Sequence, residues 1–430
     1  MSEYVIIGGS AAGISSCEAI RENDKKGKIT LISDEKLALY SRCLLTYYIA
    51  GKIGREKILF KNNDFYSTHA VDAMHGVKAA SIDVKKKIVS LGDGKTVPYG
   101  KLLIATGSSS KKIGIPGEDK KGVFGLRNID DADGIVSCID KVDTAVILGG
   151  GLIGLRDAYA LRLKGKKVKI IVKSPYILSQ MLDKDAADIL EARLTEEGIE
   201  IMKGLDAKEI TGSGSVSGVT LDNGTRLSCQ LVIVGKGVAP NTDIAKTAGV
   251  KIEDGIIADN HLLTSIKDIY AAGDVAQTRD IATGSPKINA IWPAAVEQGR
   301  SAGRNMSDKE CAYDGSGMMN SIDFFGLSTI SIGLTKTKDP RCEELVSIDK
   351  DKKIYKKVII RDNILLGAIL VNKVANAGVY GIMIRKGIDV SSLKEKLLSD
   401  NFDYAKILPL VKKNPDKFSA DEFRETAMTL

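Results

Sequence analysis

The 430-residue sequence is poor in aromatic side chains, which make up 5% of it, and Trp292 is its single tryptophan. No apolar run approaches the ~20 residues that cross a bilayer, so no membrane-spanning helix is expected. Histidine occurs three times, at His69, His75 and His261, without ligand spacing, so surface or packing roles are expected. The six cysteines (Cys17, Cys43, Cys138, Cys229, Cys311 and Cys342) include no Cys-x-x-Cys pair. That spacing argues against a zinc or iron–sulfur site and against a disulfide scaffold, and no metal is expected. Residues Met1–Gly9 lack the basic-then-apolar layout of a signal peptide. Together with the scattered thiols, this makes a reducing cytoplasm the expected setting. The formal net charge of +7 is dispersed in short groups such as Lys85–Lys87, Lys166–Lys167 and Lys412–Lys413. No basic block is long enough for a nucleic-acid arm, and no aromatics are interleaved with the lysines. The charge fits a solvated surface, with at most a mild bias toward an acidic partner protein or a phosphorylated ligand.

A chain of this length exceeds one ordinary hydrophobic core, so two or three domains are expected. Its 43% apolar content fits a globular protein with a sizeable interior. The short β-branched run Tyr4–Ile7 leads into Gly8-Gly9-Ser10-Ala11-Ala12-Gly13, a periodic apolar stretch to Ile20, and a second strand at Ile29–Ile32. This is a strand, glycine turn, helix and strand. The layout recurs at Thr144–Leu148, Gly149-Gly150-Gly151-Leu152-Ile153-Gly154, a helix through Leu163, and a strand Val168–Val172. Two copies of one nucleotide-binding unit in one chain are more telling than either alone. Further strands are expected at Lys101–Thr106, Leu231–Val234 and Ile266–Ala272. From about Cys311 the character changes, with strand-like runs at Ser328–Ile332, Lys356–Ile360 and Leu365–Leu370 and a helical end.

In the first fingerprint Gly8 permits the tight turn, Gly13 permits close helix–strand packing, and small Ser10 replaces the middle glycine. Backbone N–H groups at the helix start then face a pyrophosphate. Asp34 and Glu35 follow the second strand, about 20 residues past the fingerprint, where a carboxylate would hold a ribose hydroxyl. In the second fingerprint Gly149, Gly151 and Gly154 have the full spacing, but the next strand ends at Lys173. A lysine cannot accept from a ribose hydroxyl. It either pairs with a 2′-phosphate, as NADPH would require, or is a surface lysine.

At this point the chain resembles the FAD-dependent pyridine nucleotide-disulfide oxidoreductase superfamily. Within it the likeness is to the branch holding NADH:rubredoxin and ferredoxin reductases, the flavin part of nitrite reductase, NADH oxidase and coenzyme A-disulfide reductase. The likeness spans essentially the whole chain. It rests on Gly8–Gly13, Tyr40-Ser41-Arg42, Ala105-Thr106-Gly107, Gly149–Gly154, Gly237–Asn241, and Thr264-Ser265 followed by Ile269-Tyr270-Ala271-Ala272-Gly273-Asp274-Val275. The resemblance implies an α/β fold with two Rossmann-like dinucleotide-binding domains, glutathione-reductase-like, and a C-terminal α/β interface domain. The implied segments are 1–112 and 246–310 for FAD, 113–245 for NAD(P), and 311–430 for the interface domain. It further implies that Asp274 bonds the flavin's ribityl chain, that Arg42 lies along the flavin, and that Val77 meets the adenine through its backbone. Ser10, Ala11, Ala12, Ala105, Thr106, Gly107, Gly273 and Trp292 join the implied cofactor-binding set, with Ile153 and Gly237 beside the second fingerprint.

Two departures bear on the chemistry. Cys43 stands where coenzyme A-disulfide reductases and NADH oxidases place a redox cysteine, yet Leu39-Tyr40-Ser41-Arg42 resembles the rubredoxin branch. A thiol there would form a charge-transfer thiolate, a mixed disulfide with coenzyme A or a sulfenic acid; the alternative is a small buried cysteine. Arg156 occupies a position where many relatives carry a glutamate that holds the nicotinamide carboxamide, and arginine offers only donors. Asp157 beside it points to another helix face. The expected activity is electron passage from NAD(P)H through FAD to a redox protein, or to a disulfide, persulfide or oxygen through Cys43. The alternative is a flavin relay subunit of a larger complex with an altered nicotinamide site. A homodimer or membership of a hetero-complex is implied.

Overall fold

The apolar runs at the start of the chain are buried without alternation, as parallel strands covered on both faces require. The computed structural model describes residues 2–418. The chain opens with β1 (Glu3–Ile7), α1 (Ala11–Asn23), β2 (Lys28–Ser33), the short α2 (Leu45–Ile49), β3 (Val71–His75) and β4 (Lys101–Ile104). It then builds β5 (Val123–Phe124), α3 (Ile129–Cys138), β6 (Thr144–Leu148), α4 (Leu152–Leu163) and β7 (Lys167–Val172). After α5 (Lys184–Glu196) come β8 (Ile199–Lys203), β9 (Leu231–Val234), β10 (Ile269–Ala271) and α6 (Trp292–Met306).

These strands form two parallel sheets, ordered β10-β4-β1-β2-β3 and β8-β7-β6-β9-β5. In both, the strand that carries the glycine turn is central, with the following strand on one side and a later strand on the other. Each sheet therefore has a point where strand order reverses, and a crevice opens there beyond the carboxyl ends. The first sheet is sandwiched by α1 and α6 on one face, with Ile6, Ile14, Cys17, Leu31, Leu103 and Met306 in the core.

The chain divides into two compact units. One comprises Met1–Lys173, Ile199–Asp280 and Ser285–Ser316, and holds both parallel sheets. The other comprises Ser174–Gly198, Ile281–Gly284 and Gly317–Leu430. Its antiparallel sheet consists of β11 (Met319–Phe324), β12 (Leu327–Gly333), β13 (Cys342–Asp349), β14 (Ile354–Arg361) and β15 (Ile364–Val371), ordered β11-β12-β15-β14-β13. Helix α7 (Ala377–Lys386) covers one face through Tyr380 and Met383 against Val358 and Leu370. Residues 174–198 join this unit through Asp183, which caps α5, accepts from the Tyr355 hydroxyl at 2.6 Å, and pairs with Lys357 at 3.1 Å.

One polar side chain sits badly in the first unit. Asp157 of α4 is buried, and neither carboxylate oxygen has a hydrogen-bond partner among the described residues. Burial pushes its carboxyl well above the ordinary range, the charge of Asp131 adds to this, and Arg156 offsets it only in part. The folded chain therefore holds a proton that the unfolded chain releases near pH 4, and stability falls as pH rises from there toward the folded value. Asp157→Asn should remove this dependence. In urea unfolding the advantage of the variant over the parent should widen by up to about 1.4 kcal/mol per pH unit across that window. An advantage that stays constant from pH 5 to pH 8 would contradict a protonated Asp157.

Candidate nucleotide-binding site

The turn between β1 and α1 is built by close backbone approach. Gly8 has φ +120°, and a Cβ there would lie 2.0 Å from the Ala105 carbonyl oxygen. A Cβ at Gly13 would lie 1.9 Å from the Gly8 carbonyl oxygen. Ser10 stands at the N-cap of α1 without a side-chain capping bond, and the first turn carries no acidic residue. The first N–H groups of α1 thus leave their partial positive charge available to an anion in the turn.

Around this turn lies a cleft of ≈ 420 Å³. It is lined by Gly8 and Ser10–Ala12, by Asp34 and Glu35 after β2, and by Arg42, Cys43 and Val77. Ala105–Gly107, Arg127, Asn241, Gly273, Asp274 and Trp292 also line it. Every residue expected at the first nucleotide lines the cleft except Gly13, which supports the turn from behind. Trp292 packs edge-on against Phe60 at 5.0 Å, at the start of α6.

Helix α6 is held there by glycines. A Cβ at Gly299 would lie 2.2 Å from the Ala12 carbonyl oxygen, and one at Gly303 would lie 2.6 Å from that of Ser16. Buried Gln298 on the same helix accepts from the Gly273 N–H at 2.7 Å, which fixes the turn that carries Asp274. The Asn241 side-chain amide donates to the Thr106 carbonyl at 2.9 Å, and the Thr106 hydroxyl donates to the Asn241 carbonyl at 2.8 Å.

Two carboxylate–arginine pairs face the cleft. Glu35 accepts from the Tyr40 hydroxyl and from Arg42. Burial alone would lower the Arg42 guanidinium, but Tyr40 and Glu35 outweigh it and the net shift is upward. Asp274 accepts from Arg127 at 2.6 Å and from the Ser108 hydroxyl at 3.0 Å. Arg42 also donates to the Arg127 carbonyl at 2.6 Å, which joins the two pairs. Cations here suit a diphosphate, and the carboxylates suit hydroxyl groups.

Arg127 is a residue that sequence reasoning missed. A signal for it existed in the capping box formed by Asn128 and Asp131 at the start of α3. Asp131 in turn accepts from the Arg127 N–H at 2.8 Å. A second correction concerns Cys43. It is not a buried cysteine but is exposed on the 3₁₀ turn Arg42–Leu44, because that turn bends along the cleft wall instead of into the core. The buried thiols are Cys17 and Cys229. Among the described residues no cluster of His, Cys, Asp and Glu has metal-holding geometry, and no helix is long and apolar enough to cross a membrane.

Gly149, Gly151, Ile153, Gly154, Lys173 and Gly237 do not line this cleft; they gather at the carboxyl end of the second sheet. There the architecture repeats. A Cβ at Gly149 would lie 2.5 Å from the Gly235 carbonyl oxygen, and one at Gly154 would lie 2.2 Å from that of Gly149. Gly151 caps α4 without a side chain, and no acid stands in its first turn. Arg156 is half-buried on α4. The Lys173 ammonium is largely exposed and 3.8 Å from Asp206, which also pairs with Lys236.

A glycine turn pressed on backbone at the carboxyl end of each of two parallel sheets marks a dinucleotide-binding protein. Residues 2–299 match the family described as pyridine nucleotide-disulphide oxidoreductase, and residues 319–388 match the rubredoxin NAD+ reductase C-terminal domain. The chain is 32% identical over 403 residues to the NADH-dependent phenylglyoxylate dehydrogenase subunit epsilon of Aromatoleum evansii, covering 93% of this chain and 95% of that one. It is 29% identical to the nitrite reductase [NAD(P)H] of Bacillus subtilis, covering 90% of this chain but only 48% of that protein. The crystal structure of NADH:rubredoxin oxidoreductase from Clostridium acetobutylicum is similar, with TM-score 0.74, 29% identity, and coverage of 95% and 99%. The chain belongs to the pyridine nucleotide-disulphide oxidoreductase family. It is an FAD-dependent oxidoreductase that works with NAD(P)H.

The first cleft fits FAD because the uncapped N-terminus of α1, Arg42 and Arg127 line it together, which suits a diphosphate. The same geometry makes the site sensitive at a distance. Gly299→Ala should push α6 from α1 and move Trp292 and the Gly273 turn. The variant should keep its far-ultraviolet circular dichroism but purify with a clearly lower ratio of flavin to protein absorbance. A variant with parental flavin content would show that α6 yields without cost to the cleft.

Proposed function

We propose that the chain passes electrons from NADH, through FAD held in the first cleft, to a small one-electron redox protein of the rubredoxin kind. The observation that carries this reading is the meeting of the uncapped α1 N-terminus at a glycine turn with two carboxylate–arginine pairs in one cleft. The match of residues 319–388 to a rubredoxin reductase domain supports the acceptor.

The backbone N–H groups of Ser10–Ala12, with Arg42 and Arg127, hold the diphosphate. Glu35, with Asp34 beside it, accepts from the ribose hydroxyls, and Val77 meets the adenine through its backbone. Asp274 accepts from the ribityl chain, with Ala105–Gly107 and Gly273 shaping the wall. Trp292 opens α6, whose N-terminal N–H groups favour negative charge at the pyrimidine end of the ring. FAD, when bound, converts a two-electron donation into single-electron transfers. Gly149, Gly151, Ile153, Gly154 and Gly237 shape the donor's turn, with Lys173 at its rim.

The domains we assign are 1–112 and 246–310 for the flavin, 113–245 for the donor, and 311–430 for the interface. A cytoplasmic setting and pairing of subunits, with itself or within a redox complex, complete the reading. A second reading, reduction of a disulfide, persulfide or oxygen through Cys43, is favoured by the exposure of that thiol on the cleft wall.

Anaerobic titration separates these. NADH should bleach the flavin band of the holoprotein, and oxidised rubredoxin should restore it. Cys43→Ser should retain most of both steps, since electrons reach the acceptor without the thiol. If rubredoxin turnover persists in the parent but collapses in Cys43→Ser, the thiol lies on the path and the first reading fails. Absence of bleaching by NADH and NADPH in the parent would leave the relay role in a larger complex.

A further inference from the structure

The second crevice carries a carboxylate that its own fingerprint lacks. Lys173 directly follows β7, and Arg156 stands two residues past the last fingerprint glycine, so both positions expected to hold acceptors carry donors. Asp206 reaches the crevice from a different strand. After β8 the chain turns at Gly204 with φ +69°, and the Leu205 N–H donates to the carbonyl of Val172, the last residue of β7. Asp206 therefore stands over the carboxyl end of β7, beside Lys173 at 3.8 Å. Its side chain is three-quarters buried and held by the Ala207 N–H at 2.8 Å.

Its strongest partner comes from the opposite side. Lys236 lies between Gly235, which packs on the Gly149–Gly154 turn, and Gly237 after β9. Since β6 and β7 lie between β9 and β8, the Lys236–Asp206 pair spans the carboxyl ends of the strands that flank the glycine turn. That is where a dinucleotide lies in this type of sheet. Partial burial pushes the Asp206 carboxyl up, but bonds from Lys236 and the Ala207 N–H and the charge of Lys173 outweigh it. The group is an anion at neutral pH, with oxygens able to accept.

We propose that Asp206 is the ribose-binding carboxylate of the donor site, and that Lys236 leaves it for the nucleotide diphosphate when the donor enters. This deepens the reading of the second crevice as the NADH site and rests on it. A carboxylate at the ribose accepts from a 2′-hydroxyl and repels a 2′-phosphate, so the site selects the unphosphorylated nucleotide. Lys236 contributes equally to both, because both carry the same diphosphate.

The test is calorimetric binding of NAD+ and NADP+ to FAD-loaded protein, which reads affinity without turnover. The parent should bind NAD+ more tightly than NADP+. Asp206→Ala should weaken NAD+ about tenfold, the loss of one charge-assisted bond, and bring the two nucleotides close to parity. Asp206→Asn keeps the shape and should lose the same discrimination, which guards against a misfolded alanine variant. Lys236→Met should weaken both nucleotides by a similar factor and leave their ratio unchanged. Unchanged discrimination in both Asp206 variants overturns the proposal while leaving the donor site intact. A parent that binds neither nucleotide overturns the donor-site reading itself, and this proposal with it.

Discussion

Everything at the first cleft depends on backbone pressed against backbone. The turn before α1 presses on the end of β4 through Gly8 and Ala105, and α1 touches α6 through Ala12 with Gly299 and Ser16 with Gly303. A methyl group at most of these contacts would fall within 3 Å of a carbonyl oxygen, closer than atoms tolerate. The reward for that closeness is geometric. The first turn of α1, the Gly273 turn and the start of α6 converge on one volume, and their N–H dipoles converge with them. Remote glycines thereby set the position of groups that they never touch.

Within that frame, charge is placed in pairs instead of singly. Glu35 and Asp274 are each partly buried, and each meets a guanidinium. An isolated carboxylate at such a site would resist ionisation, as Asp157 does deeper in the same unit. Pairing gives each cleft acid a hydrogen-bonded partner, while their arginines remain close enough to serve a diphosphate. The contrast between Asp157 and Asp274 is one of partners, since both lie in the same compact unit.

The frame was legible in the sequence because it is written in local patterns. The glycine turns, the β-branched runs and the Gly273-Asp274 string each occupy a few consecutive residues, and the strands they imply form the two parallel sheets. What escaped is what long separation assembles. Arg127 meets Asp274 across 147 positions, and Gln298 meets Gly273 across 25, with no periodicity to announce either. Edge strand β13, Cys-Glu-Glu-Leu-Val-Ser-Ile-Asp, was not legible either, because its acids mask the alternation that an exposed edge tolerates. Cys43 was ambiguous for a related reason: a short 3₁₀ turn decides its exposure, and composition does not.

The two parallel-sheet regions share a fold yet treat charge differently, and the strands explain how. At the first sheet the acids follow β2 directly, so Asp34 and Glu35 are delivered by that sheet's own fingerprint region. At the second sheet Lys173 follows β7, and Asp206 arrives only because the chain after β8 crosses back over β7. A crevice at a strand-order reversal is bordered by several strand ends, so any of them can supply a missing group. What a Rossmann-like unit constrains is the place of the turn and its dipole. Which loop brings the carboxylate is free to change, and with it the cation that must be displaced before a ligand can use it.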